Sequence, residues 1–321
     1  MQRIVSKAGM GLSEHAVPNP RLIEIIGAAW GLGGADPSCA DAPGVLAPML
    51  AQRLKECGIA ARAGPMLSPS RTERRRELAV SKLCGLLASA VADSVRQDRL
   101  PCVLGGDHSC AGGTWTGVAR ATPGELGLVW IDAHMDAHTP GTSHTGRLHG
   151  MPLAWLLGQD DDPLYGLASG VVQPGKVCLI GVRSYEPEEE ARLKRLGVRV
   201  FMMDEVDARG LDDVFAEALA IATAGTQAFG ISIDLDAVTP EDAPGVATPV
   251  EGGIAGPALA AALAGIGGHD SLAAVELVEY SPRADREARA AHAAIAILQS
   301  ALCGTRQDAQ VVADALNRQH S

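Results

Sequence analysis

Short runs of apolar residues recur along the chain and alternate with longer segments rich in Ala and Leu. The runs have the length of buried β-strands and cover residues 22–26, 102–104, 126–131, 177–180, 198–202, 229–233 and 272–278. Apolar residues at helical spacing predict helices over 77–96, 188–196, 212–224, 257–266 and 285–303. Strands that are apolar on both faces are typical of a parallel sheet covered by helices on both sides. The pattern therefore predicts a three-layer α/β/α fold with a central, mostly parallel sheet.

No repeat, low-complexity tract or interdomain linker interrupts this alternation. We therefore expect a single domain over residues 1–321, with a core at about 20–304. Residues 31–44 (GLGGADPSCADAPG) are predicted to form a loop inside the first βα unit. Their glycines do not have the G-x-G-x-x-G spacing of a dinucleotide-binding loop, so no phosphate cradle is expected there.

The composition narrows the classes of partner. A formal net charge of −11 disfavours nucleic acid and anionic membranes, because both attract cationic surfaces. No run approaches the roughly 18 unbroken apolar residues of a membrane span, and the N-terminus lacks a secretory pattern, so we expect a soluble, cytoplasmic protein. Seven cysteines without a Cys-x-x-Cys pair suggest neither a disulfide framework nor a thiolate metal site. The basic run 71–76 (RTERRR) is predicted to be a solvated face at the start of a helix.

Four apolar runs end in residues that can bind metals or act as acids and bases. In a parallel sheet, ligands bind beyond the carboxyl ends of the strands, so these positions are the first candidates for a functional site. The segments that follow the runs are GGDHS (105–109), DAHMD (132–136), DLD (234–236) and EYSP (279–282). Taken singly, GGDHS or DLD is typical of a turn or a helix cap. Their occurrence together at strand ends favours one shared site.

The acidic residues of these segments predict a metal centre. Asp132, His134 and Asp136 alternate with period two, so they would project together if the strand geometry persists. Asp234 and Asp236 repeat the arrangement, and crowded carboxylates repel one another unless cations neutralise them. Carboxylates with imidazoles and no thiolate suit a hard or borderline ion such as manganese. With His108, the donors are too many for one ion and fit two ions roughly 3.5–4 Å apart that activate a bridging water.

The three motifs resemble the diagnostic set of the arginase (ureohydrolase) family, in the same order and with matching separations. The similarity runs from about the first strand to the 285–303 helix. It implies one manganese held by His108, Asp132, Asp136 and Asp234, and a second held by His134, Asp132, Asp234 and Asp236. Asp132 and Asp234 would bridge the two ions, and Asp107 would support the neighbouring histidine.

The resemblance also implies the residues at the guanidinium end of a substrate. His149 lies in a Leu-His-Gly-x-Pro segment (148–152), where the family uses it as a proton shuttle; alternatively it caps the helix predicted to begin near Met151. Glu279 matches the carboxylate that binds the guanidinium, and Thr248 the threonine beside it. Catalysis would thus depend on His149, Asp136 and Glu279. Glu276 would point to the opposite face of its strand.

The chain departs from the arginase pattern where the amino-acid end of the substrate should bind. His138 replaces an asparagine, Arg147 replaces a neutral amide, and Glu186 stands where arginases have an aspartate. Hydroxyls are kept at Ser143 and Thr145. We predict that these five residues contact the substrate; Arg147 is alternatively a surface residue.

The resulting prediction is a binuclear manganese hydrolase that converts L-arginine and water to L-ornithine and urea. The alternatives are a sister enzyme acting on agmatine, guanidinobutyrate or another guanidino compound, a catalytically silent metal-binding paralogue, and a zinc deacetylase on a related fold. Nickel or cobalt in place of manganese stays open. From the resemblance we expect a small guanidino substrate and a homo-oligomer, either a trimer or a hexamer.

Overall fold

A computed structural model describes residues 21–70, 75–159 and 170–303 of the protein. Its β-strands are β1 (Ile23–Ala28), β2 (Ala61–Leu67), β3 (Leu100–Gly105), β4 (Leu126–Ile131), β5 (Val177–Val182), β6 (Arg199–Met202), β7 (Ala228–Asp234) and β8 (Leu272–Val278). They form one sheet in the order β2-β1-β3-β8-β7-β4-β5-β6. Every neighbouring pair is parallel. The predicted parallel sheet is confirmed.

Helices cover both faces of the sheet. They are α1 (Ala42–Glu56), α2 (Arg76–Arg96), α3 (Ala111–Ala121), α4 (Pro152–Leu156), α5 (Pro187–Leu196), α6 (Met203–Arg209), α7 (Leu211–Thr223), α8 (Gly256–Leu263) and α9 (Arg289–Leu302). In β4, Val129 and Ile131 pack into a core with α1, α7, α8 and α9, whereas Leu128 and Trp130 pack into a second core with α2, α3, α4 and α5. Alternate residues of one strand thus enter opposite layers, as the continuous apolar runs predict.

Several elements differ from the sequence prediction. The edge strand β2 was missed because it is mostly exposed and lacks an apolar run. Residues 42–44, predicted as loop, form the first turn of α1. The last helix begins at Arg289 rather than Asp285, because the Asp285 carboxylate instead accepts hydrogen bonds from the backbone N–H groups of Ala290 and Ala291. Residues 71–74 of the basic run lie outside the described residues.

By length and composition, α2 is apolar enough to cross a membrane, and among the described residues it is the one helix of which this is true. Half of its apolar window is buried inside the fold, where the helix packs against α3 and the sheet. A core helix of a globular protein passes the same test.

The topology places the four chemistry-bearing strand ends side by side. β3, β8, β7 and β4 are consecutive in the sheet, and their carboxyl ends lie at the same edge. The segment after β3 packs closely against the backbone of Trp30, and this depends on glycine at position 106. A Cβ atom at Gly106 would lie 1.9 Å from the carbonyl oxygen of Trp30. The fold therefore brings GGDHS, DAHMD, DLD and Glu279 together in space.

Candidate metal centre

One cluster at this edge is built around the imidazole of His108. Its Nδ1 atom lies 3.2 Å from Asp132 Oδ2, 3.0 Å from Asp136 Oδ2 and 3.2 Å from Asp234 Oδ2. All four side chains are buried. His108 Nδ1 nevertheless has no hydrogen-bond partner of acceptable geometry. A buried nitrogen facing three carboxylate oxygens in this way has the arrangement of a metal ligand.

A second cluster shares Asp132 with the first. His134 Nδ1 lies 3.5 Å from Asp132 Oδ1 and 3.1 Å from Asp236 Oδ2. Asp132 therefore offers one oxygen to each histidine, and it belongs to both groups of potential ligand atoms. Asp234 groups with His108, so its predicted role as a second bridge stays a prediction.

The convergence of these residues does not come from an extended strand. β4 ends at Ile131, so the condition that strand geometry persists through Asp136 is not met. Instead, Asp132 Oδ1 accepts a hydrogen bond from the backbone N–H of His134, and Asp136 has a left-handed backbone with φ 48°. Asp234 Oδ1 likewise accepts from the backbone N–H of Asp236. Tight turns at the strand ends, rather than period-two pleating, direct the donors inward.

The electrostatics of the clusters call for additional positive charge. Burial lowers the pKa of His108, but the three surrounding carboxylates outweigh burial and raise it well above its ordinary value. The same balance, with Asp236 and Asp132 as the carboxylates, raises the pKa of His134. Burial and the neighbouring Asp132 raise the pKa of Asp136 to about 6. Divalent cations would stabilise the ionised carboxylates and leave both imidazoles neutral.

Residues that the sequence analysis did not single out hold the ligands in place. Trp130 Nε1 donates to Asp132 Oδ2 at 2.8 Å, and the Trp130 ring stacks on His108 with centroids 4.2 Å apart. Ser232 Oγ lies 3.0 Å from His108 Nε2. Arg183 donates to the backbone carbonyls of Asp236 and Val250. Trp130 and Ser232 each lie two residues before a predicted ligand, so strand periodicity could have indicated them.

His149 and Glu279 form a pair beside the first cluster. Glu279 Oε1 lies 2.9 Å from His149 Nδ1 and also accepts a hydrogen bond from the backbone N–H of His108. Burial lowers the pKa of His149, but the Glu279 carboxylate outweighs it and raises the pKa to about 9. Glu279 is 1% exposed and has a left-handed backbone with φ 63°. Asp107 accepts from the backbone N–H groups of Gly33 and Ser109, so it braces the loop rather than the His108 ring.

A cavity of about 190 Å³ opens over the clusters. On the metal side its lining includes His134, Asp136 and Asp234, with His149 and Thr248 next to them. Thr248 Oγ1 donates to Asp236 Oδ2 at 2.9 Å. The rest of the lining includes every residue predicted for the amino-acid end of a substrate, namely His138, Ser143, Thr145, Arg147 and Glu186. Glu279 contacts the lining through His149.

At the amino-acid end, His138 contacts two glutamates. His138 Nε2 lies 3.1 Å from Glu186 Oε2 and 3.4 Å from Glu189 Oε2. Glu186 is the N-cap of α5, and its backbone N–H donates to the buried Glu189. Burial and the neighbouring Glu186 raise the pKa of Glu189 to about 8. Glu189 was missed by the sequence analysis, although the spacing of the two glutamates is that of a capping box.

Comparison with known proteins agrees with the motifs and the geometry. The profile of the Arginase family matches residues 24–304. The chain belongs to the arginase family. An arginase of Brevibacillus brevis is 41% identical over 216 residues, which are 67% of this chain and 72% of the relative.

Solved structures of the arginase family share the fold. The crystal structure of an arginase from Bacillus caldovelox superposes with a TM-score of 0.82 at 33% identity and covers 88% of this chain and 98% of that one. The structure of an Entamoeba histolytica arginase in complex with L-ornithine has a TM-score of 0.83 at 25% identity, with 90% and 99% covered. The resemblance read from the three motifs is thereby confirmed, and the protein is a metal-binding hydrolase of this family.

The donor set of this arginase-family chain fits two divalent ions. It consists of carboxylate oxygens and two imidazoles, without thiolates, which is the chemistry of hard or borderline ions. The unpartnered Nδ1 of His108 supplies the independent sign that the first position is built for a cation. A zinc deacetylase, which needs only one such position, does not account for the second cluster.

Proposed function

We propose that the protein hydrolyses L-arginine to L-ornithine and urea, with two manganese ions at the centre described above. The observation that carries the proposal is the position of Asp132, which lies between two histidine–carboxylate clusters beneath a cavity. Three similar relatives that are named arginase, from Brevibacillus brevis, Bacillus caldovelox and Bacillus subtilis, support the choice of substrate. A homo-oligomeric state and a cytoplasmic location are further parts of the proposal that derive from the sequence alone.

The six predicted ligands would hold the metals. His108, Asp132, Asp136 and Asp234 surround the first position, and His134, Asp132 and Asp236 the second. When bound, two such ions supply a water activated for attack at neutral pH and positive charge that stabilises the tetrahedral intermediate. The chain's own task is to hold the guanidinium carbon over this centre and to move the protons.

The His149–Glu279 pair is suited to both tasks. A buried carboxylate forms a charge-assisted pair with a planar guanidinium, and Glu279 is the buried carboxylate beside the first cluster. His149 uses Nδ1 toward Glu279, which leaves Nε2 to exchange protons with the cavity. We assign His149 to the transfer of a proton to the leaving amine of ornithine as the C–N bond breaks.

The amino-acid end of arginine would meet the outer part of the cavity. Glu186 is half exposed and can accept a hydrogen bond from an α-ammonium, while Arg147 and the hydroxyls of Ser143 and Thr145 can bind an α-carboxylate. Each hydroxyl already accepts one backbone hydrogen bond within the loop and retains its proton to donate.

One observation favours a second candidate substrate. Because His138 already donates toward Glu186, the acceptor predicted for the α-ammonium is engaged by the protein itself. A guanidino acid without an α-amino group would avoid this competition and keep its carboxylate contacts with Arg147.

Urea release tests the proposed function. The manganese-loaded protein is assayed side by side on L-arginine, agmatine and 4-guanidinobutyrate. We expect kcat/KM for arginine to exceed that for agmatine at least about 100-fold, because a site built to bind a carboxylate is left with unpaired polar groups when the carboxylate is absent. A preference for agmatine would refute the arginase assignment, a preference for guanidinobutyrate would support the second candidate, and absence of urea in all three would indicate a silent paralogue.

A further inference from the structure

Glu276 is a fully buried carboxylate that the proposed reaction does not use. It lies in the middle of β8 and is 0% exposed. Its hydrogen-bond donors are neutral groups: Ser232 Oγ at 2.7 Å, Thr114 Oγ1 and, at 3.4 Å, Cys110 Sγ. Burial of a carboxylate among neutral partners costs folding free energy.

The contact with Ser232 connects Glu276 to a predicted metal ligand. Ser232 Oγ donates its only proton to Glu276 Oε2, so toward His108 Nε2, 3.0 Å away, the hydroxyl can only accept. The His108 proton must then sit on Nε2. This leaves the lone pair on Nδ1, the atom that faces the oxygens of Asp132, Asp136 and Asp234.

We propose that Glu276 is a positioning residue that prepares His108 to bind a divalent cation through Nδ1. The inference rests on the metal centre of the proposed function and extends it. Glu276 fixes the direction of the Ser232 hydroxyl, the hydroxyl fixes the tautomer of His108, and stacking on Trp130, with 14° between the ring planes, fixes the tilt of the imidazole. A hydrogen-bonded carboxylate behind an imidazole also makes the opposite nitrogen a better electron donor to a metal.

Glu276 and Ser232 would position His108 in the same way for any substrate, because their contact belongs to the central sheet. Ser232 stands opposite Glu276 in the register between β7 and β8, so the contact is built into two adjacent central strands rather than into a loop. His108, by contrast, lies in a turn after β3. His108, which lies on a turn, is thus held in position by residues of two central strands of the sheet.

The test measures Mn²⁺ binding rather than turnover alone. Glu276→Gln removes the charge while keeping the size, and Ser232→Ala removes the hydroxyl between the two side chains. Equilibrium dialysis with metal analysis and Mn²⁺ titration gives the affinity of each ion in the full-length protein. We expect either variant to weaken one of the two ions by about 10- to 100-fold, the effect of losing an outer-sphere partner, and to affect the other ion less.

A matched control separates positioning from simple disturbance of the core. Thr114→Val removes the other hydroxyl that donates to Glu276 but leaves the path to His108 intact, so its Mn²⁺ affinities should stay at the wild-type level. The double variant Ser232→Ala/Glu276→Gln should bind no more weakly than Ser232→Ala, since both changes interrupt one path.

The outcomes distinguish this inference from the proposed function. Wild-type affinity in Glu276→Gln, or losses that add in the double variant, would overturn the positioning role while leaving the metal centre in place. A wild-type protein that binds no Mn²⁺ would instead overturn the proposed function. If Glu276→Gln does not fold, the comparison of Ser232→Ala with Thr114→Val decides: equal affinities in these two variants refute the inference, and weaker binding only in Ser232→Ala supports it.

Discussion

His149 and Glu279 lie 130 residues apart in the sequence, yet His149 Nδ1 and Glu279 Oε1 are 2.9 Å apart in the fold. Burial alone lowers the pKa of His149, and the Glu279 charge reverses that effect and brings it to about 9. Glu279→Gln removes the largest cause that raises the pKa of His149, while burial still lowers it and the weaker effects of Asp136 and Asp107 remain, so the pKa should fall below about 9. Exchange of the histidine C2 hydrogen, followed by mass spectrometry against pH, measures it. Glu251→Gln, at an exposed position, is the control; an unchanged midpoint in Glu279→Gln would contradict the pairing.

Removal of the His149 imidazole should impair turnover without loss of metal. We expect His149→Ala to lower kcat by roughly 10- to 1000-fold, because one general acid–base group is lost, while metal content stays the same. Steady-state kinetics and metal analysis on the same preparation check both statements. Partial recovery with added imidazole would support proton transfer, whereas an unchanged kcat across the pH profile would show that His149 is structural.

Replacement of Asp132 should affect both metal positions, because its two oxygens face different histidines. Asp132→Asn is therefore expected to lose both ions, whereas His108→Ala should weaken mainly one. Asp234→Ala tests the second predicted bridge in the same experiment. Metal content after dialysis gives the answer. Two ions retained at full occupancy in Asp132→Asn would exclude the shared position.

The contact between His138 and Glu186 should weaken recognition of an α-ammonium. In His138→Asn, Glu186 loses its contact with His138 Nε2, so KM for arginine should fall about tenfold, the scale of one charge-assisted hydrogen bond. KM for 5-guanidinopentanoate, which is arginine without its α-amino group, should hardly change. His144→Asn is the matched control, because His144 lines the same cavity edge-on to His138. If both substrates respond alike, His138 has no part in selecting the amino group.

Substitution of two glycines by alanine should have opposite effects on the stability of the fold. A Cβ atom at Gly230 would lie 1.9 Å from the ring of the buried Trp115, so Gly230→Ala should lower the free energy of unfolding by about 1–3 kcal/mol or more. Gly44 lies in α1, where an added Cβ atom would meet open space, and Gly44→Ala should raise the free energy of unfolding by about 0.5–1 kcal/mol. Denaturant unfolding of both variants measures the difference. Equal stability of the two would show that the Trp115 packing is not as described.

The sequence predicted the central strands well because their apolar runs are buried on both faces. The run 126–131 coincides with β4, and 272–278 with β8. α1 was missed because Gly44 and Pro48 disfavour a helix locally, whereas packing of Leu46, Leu50 and Leu54 stabilises it in the fold. The helical conformation of α1 thus depends on tertiary contacts, which cannot be predicted from the local sequence.

At the site, the sequence indicated which residues lie together but did not indicate their geometry. The positions of Asp132 to Asp136 depend on turn hydrogen bonds that period-two reasoning does not describe. The contact of His138 with Glu186 and Glu189 joins a loop to the start of α5, 48 and 51 residues further along the chain, and no local pattern encodes such a distance. The departure of residue 138 from the arginase pattern was visible, but its partner was not.

The left-handed backbone at Asp136 and Glu279 has a consequence for engineering. For a residue with a side chain, this conformation costs on the order of 1–3 kcal/mol, and glycine or asparagine adopts it more readily. If randomly mutated variants are selected only for heat resistance, stabilising substitutions at these two positions should therefore appear early. Such a campaign would enrich robust, inactive proteins, so each round of selection needs a hydrolysis screen alongside the thermal challenge.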